Sequence, residues 1–91
     1  MDGEEAAFYD AISAALFGYL SDKLIIDLSD LNRERIEDEL RGRNVTESIQ
    51  SELKKALDEC EMVRFAPGVV RSREDMLTAT TQIIETLEDE L

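Results

Sequence analysis

FYDAISAALFGYLSDKL, running from Phe8 to Leu24, carries the helical pattern from which an all-α fold follows. Phe8, Ile12, Ala15, Leu16 and Tyr19 recur at the 3.6-residue spacing of one helix face, with Tyr9 and Leu20 on the flank of that stripe. Ala7, Ala11, Ala14 and Gly18 make a second face of small residues, over which another backbone can come close, so the helix is expected to pack on two sides. Phe17 falls off both stripes, beside Asp10. Glu4 and Glu5 lie where negative charge suits a helix N-terminus, and the predicted helix spans about Glu4 to Asp22.

Beyond it, Leu24-Ile25-Ile26 is short and β-branched, and Asp27, Ser29 and Asp30 form turns. This predicts a short, buried, extended connector with one helical turn near Ser29. Asn32 reads as the N-cap of a second helix, which turns Ile36 and Leu40 inward and stops at Gly42 in a left-handed conformation. Thr46 caps a third helix with the stripe Ile49, Leu53, Ala56, Leu57 and Cys60, fading near Met62. Phe65-Ala66-Pro67-Gly68 breaks the pattern. Ser72 with Asp75 opens a last helix to Leu91, whose stripe is Met76, Leu77, Thr80, Ile83, Ile84, Leu87 and Leu91. The expected fold is all-α: one small four-helix domain over residues 1–91.

Composition agrees. Among 91 residues, 43% are hydrophobic and 35% charged, too apolar for a disordered chain. The net charge of −12 argues against nucleic acid and anionic lipid as ligands. One cysteine forms no intrachain disulfide, and without histidine there is no Ser-His or Cys-His pair. The apolar runs are too short to span a bilayer, so no direct membrane insertion by this segment is expected. The charge is also uneven. Asp2, Glu4, Glu5, Asp10, Asp22, Glu74, Asp75, Glu85, Glu88, Asp89 and Glu90 face a single base, Arg73, on the first and last helices with their leader.

Few side chains in the sequence offer chemistry. Cys60 lies on an apolar stripe, where an inert core thiol is the ordinary case. The acids from Asp27 to Asp38 do not make a calcium loop, because Asn32 stands where a central Gly is needed and Asp38 where a closing Glu is needed. No catalytic residue, cofactor or metal site is expected, and the chain reads as a non-enzyme. An acyl-carrier-like protein is the alternative, since that family is also small, acidic and four-helical. Its Asp-Ser-Leu motif has its nearest counterpart in Leu28-Ser29-Asp30-Leu31, in the wrong order.

Two stretches carry a resemblance: Phe8 to Leu24, and LDECEMVRFAP from Leu57 to Pro67, with DLNRERIEDELRGRNVTESI similar in layout between them. In this order and spacing they resemble the cytoplasmic C-terminal domain of the BatD family of bacterial oxygen-tolerance (aerotolerance) proteins. The resemblance covers roughly Ala7 to Gly68. It departs at Phe17, often Trp in the family, and at Asp27, often Pro. It implies a membrane-anchored parent protein with this domain on the cytoplasmic side of the bacterial inner membrane. It also implies von Willebrand factor A-domain membrane proteins and a MoxR-type ATPase as partners, and a basic juxtamembrane linker in front of the domain.

Together these readings describe a non-catalytic docking domain, with a structural end-cap lacking any partner as a further alternative. Phe17, Arg64, Phe65, Glu85, Glu88 and Asp89 are the candidate partner-binding residues. Phe65 and Arg64 have two readings: Phe65 plugs the bundle end while Arg64 pairs with an acid, or both form a docking surface with Phe17. The acids of the first and last helices, if those helices are neighbours, make one negative field for the protein's own basic linker or a basic partner.

Overall fold

The computed structural model describes residues 3–63, 65 and 71–91. These form an all-α domain of four helices: α1 (Gly3–Leu24), α2 (Arg33–Gly42), α3 (Glu47–Met62) and α4 (Arg73–Glu90). A single 3-10 turn, Leu28–Asp30, interrupts the connector between α1 and α2. No helix among the described residues is long and apolar enough to cross a membrane.

Side-chain contacts fix the directions. Arg73 lies over the Phe8 ring near the starts of α4 and α1, and Glu88 meets Tyr19 and Lys23 near their ends, so these helices run parallel. Thr46, just before α3, bonds Glu90 at the end of α4, so α3 runs the other way. α2 folds back on α3 as an antiparallel hairpin, with the Arg33 guanidinium forked between Asp58 and Glu61.

The connector is extended on either side of its turn: Asp27, Leu31 and Asn32 all have extended backbone. It returns the chain from the end of α1 to the level of Asp58. It is buried only in part. Leu24 and Leu31 are in the core and Ile26 is half-buried, but Ile25 is 89% exposed and Leu28 57% exposed.

The caps follow local chemistry. Asn32 accepts from the Arg35 N–H at 2.8 Å and Ser72 from the Asp75 N–H at 3.2 Å. Thr46 caps α3 differently: its own side chain makes no capping bond, and Glu90 accepts from both its N–H and its hydroxyl. Gly42 is not left-handed. It is the last residue of α2, and Asn44 takes the positive φ of 61° instead. The bonds Val45 N–H to Leu40 C=O and Asn44 N–H to Arg41 C=O close a Schellman motif, with Val45 and Leu40 both buried. α1 ends in the same way around Ile25, at φ 57°, with the Ile26 N–H on the Ser21 carbonyl at 3.1 Å.

The core differs from the sequence expectation along α1. Tyr9 and Leu20 are fully buried, while Phe8 and Tyr19 sit half-buried on its rim. Packing between α3 and α4 centres the buried face on Tyr9, Ile12, Leu16, Leu20 and Leu24, and pushes Phe8 and Tyr19 to the α4 side. The small-residue face is not packed. Ala7, Ala11 and Ala14 are exposed, and a Cβ on Gly18 would meet nothing within 4 Å, because this face points directly away from the other helices; Ala15, expected on the core stripe, is exposed as well. On α3, the whole expected stripe of Ile49, Leu53, Ala56, Leu57 and Cys60 is buried. On α4, Leu77 is half-exposed, one residue out of phase with Met76, Thr80, Ile83 and Leu87.

Candidate functional site

Three places gather side chains with chemistry. The first is the joint between α3 and α4. Glu59 is buried, and it accepts from the Arg71 backbone N–H at 2.8 Å and from Arg71 Nε at 2.7 Å. The Tyr9 hydroxyl donates to the Arg71 carbonyl. Burial alone would raise the Glu59 pKa; the hydrogen bonds and charge of Arg71 outweigh it and hold the carboxyl below its usual range. Arg71 is in turn pushed up by the same bonds. This clasp pins the chain just ahead of α4. Sequence reading assigned an ion-pairing role nearby to Arg64, which lies outside the described residues.

The second is an open groove of about 320 Å³ between α1 and α3, lined by Asp10, Ser13, Cys60, Glu61 and Phe65. Phe65 is 86% exposed at its rim, so it does not plug the bundle end. Phe17 lies one turn past Ser13 on the same flank of α1, half-buried against the core. Cys60 forms the floor. Burial, followed by the charges of Glu59, Asp10 and Glu61, pushes its thiol up to about 11, against a smaller opposing effect of Arg71. At neutral pH it is therefore a protonated, nearly buried thiol and a poor nucleophile.

The third is the end where α1 and α4 finish side by side. Lys23 falls inside α1, so the acidic face has a second base, and its ammonium pairs with Glu88 at 3.0 Å. The Tyr19 hydroxyl also donates to Glu88 at 2.8 Å. Both hold the Glu88 carboxyl below its usual range, while burial and then Glu88 raise the Tyr19 pKa. Glu90 is engaged on Thr46. Glu85 and Asp89 are exposed, four residues apart, on the final two turns of α4, the last of which carries no base.

The sequence-predicted residues thus fall into two groups. Phe17 and Phe65 share the α1–α3 side. Glu85, Glu88 and Asp89 lie at the far end, since Tyr19 and Lys23 stand roughly 9–20 Å along α1 from Asp10 and Ser13 at 1.5 Å per residue. Between α2 and α3 a small pocket of about 20 Å³ beside Ile36, Leu40, Leu53 and Leu57 has room for one water, and a shallow surface groove of about 300 Å³ runs next to it, lined by Glu37, Arg41, Glu47, Gln50, Ser51 and Lys54. Among the described residues, no three His, Cys, Asp or Glu side chains converge as metal ligands would.

Comparison with family models, curated proteins and solved structures finds no match to this chain.

Proposed function

We propose that the chain is a non-catalytic docking domain, carried on the cytoplasmic end of a BatD-like oxygen-tolerance membrane protein. The observation that carries the docking reading is Phe65: a large aromatic ring, 86% exposed, at the rim of the α1–α3 groove and close behind the half-exposed Met62. Aromatic anchors of this kind supply much of the binding energy in protein interfaces. The placement in a membrane-anchored parent rests on the sequence resemblance over Ala7 to Gly68. It names as partners the von Willebrand factor A-domain membrane proteins, the MoxR-type ATPase, or the protein's own basic linker.

The test is a pull-down of these partner proteins and of a linker peptide by the wild type and by Phe65→Ala. Because Phe65 is exposed, the variant folds normally, and its loss of capture supports the reading. Undiminished capture, or no capture by either protein, counts against it. A second reading, the acyl-carrier-like protein, is favoured by the exposure of Ser29 on the 3-10 turn ahead of α2. It requires a mass gain on Ser29 after incubation with a phosphopantetheinyl transferase.

A further inference from the structure

Ile25 combines two unfavourable features. It is a β-branched residue held at φ 57°, where Gly or Asn is the usual occupant, and its side chain is 89% exposed. Neither feature helps the fold, because the Schellman bonds that close α1 are made by backbone and would form equally around Asn. Leu28, three residues on, is also exposed. Asp22, Asp27 and Asp30, each within three residues of Ile25 or Leu28 in the chain, are all exposed. Asp27 occupies the N-cap position of the 3-10 turn, yet its carboxylate makes no capping bond. The nearest base in sequence, Lys23, is already paired with Glu88.

From this we infer that Ile25 and Leu28 form a second docking surface, at the opposite end of α1 from the Phe65 groove. Its occupant is a Lys- and Arg-rich amphipathic helix of a partner protein. The apolar side of that helix covers Ile25 and Leu28, and its basic rim meets the three aspartates. Charge decides against a second copy of this chain, which would bring another −12 to an acidic surface. The inference shares with the docking reading a protein ligand that can be basic, and it stands or falls on different residues.

The probe is a synthetic 18-residue amphipathic helix of Leu and Lys, titrated into the 91-residue chain and followed by amide chemical shifts. The shifts are expected to centre on residues 22–30 and the affinity to fall with added salt. Ile25→Asn keeps the left-handed helix end and removes the apolar side chain. It should bind about ten- to a hundredfold more weakly, the effect of losing one buried aliphatic side chain, while its thermal stability does not fall. Leu28→Ser should weaken binding in the same direction. Equal affinity of wild type and Ile25→Asn, or shifts centred on Glu85 and Asp89, would overturn the proposal. So would absence of binding, or concentration-dependent self-association through residues 25–28 in sedimentation. Shifts centred on the Phe65 groove would overturn it too, while leaving the docking reading intact.

Discussion

The two ends of the α1–α4 pair are built on opposite terms. At the end where the helices begin, a set of polar contacts ties the elements together: Tyr9 on the Arg71 carbonyl, Arg71 on Glu59, Ser72 on the Asp75 N–H, Arg73 over Phe8. At the end where they finish, Ile25 is strained and exposed, and Glu85 and Asp89 repel each other at the negative pole of a helix. One end contributes stability. The other keeps Glu88 and Glu90 paired but leaves Ile25 and Leu28 uncovered, as the first end leaves Phe65 uncovered, and each of these apolar side chains is free to meet something else.

The largest effect should come from the satisfied end. Glu59→Ala strands the partly buried Arg71 guanidinium and releases the chain ahead of α4, and should cost about 2–3 kcal/mol in urea unfolding. A cost near zero would erase the contrast between the ends. The same carboxylate makes the end sensitive to acid. Its folded-state pKa is depressed, so its contribution is complete above the unfolded value of about 4.3 and disappears as pH falls through the folded value. Glu59→Gln should therefore lose less stability than wild type between about pH 6 and about pH 2, as followed by circular dichroism.

The two left-handed helix ends differ in the same way. Asn44→Ile should cost about 1 kcal/mol, because it places a β-branched residue at a left-handed position. Ile25→Asn should gain about as much for the converse reason. Equal and opposite changes in melting temperature would show that the two Schellman ends differ only in the residue that fills them. The smallest effect belongs to the charges. Glu85→Gln and Asp89→Asn should each raise the melting temperature slightly at low salt, with the gain vanishing near ~1 M salt. A gain that persists at high salt would show that repulsion was not its source.

The helices, the Asn32 and Ser72 caps and the α3 stripe were legible because each follows from spacing or from one local hydrogen bond. The phase of α1 was not: Phe8, Tyr9, Phe17, Tyr19 and Leu20 spread apolar character around the helix, and only the positions of α3 and α4 decide which of them is buried. The Glu59–Arg71 clasp left no periodic trace, since an acid on a charged helix pairs across a break with a base twelve residues on. Its one available signal was the position of Glu59 beside Cys60 on the edge of an apolar stripe. Ile25 misled because β-branched residues suggest strand, and nothing local marks an isoleucine for a left-handed helix end. Of the candidate site, the exposure of Phe65 and the parallel neighbouring of the acidic helices settle points that sequence left open.

Glu90 ties together helix ends that the chain order keeps apart. Its carboxylate holds both the N–H and the hydroxyl of Thr46, so the first turn of α3 borrows its cap from the last turn of α4. When that last turn of α4 frays, α3 loses its cap in the same event, and the two segments open as one cooperative unit. Amide hydrogens in the first turn of α3 should then exchange at rates set by the fraying of α4, and Glu90→Ala should speed exchange at both sites in parallel.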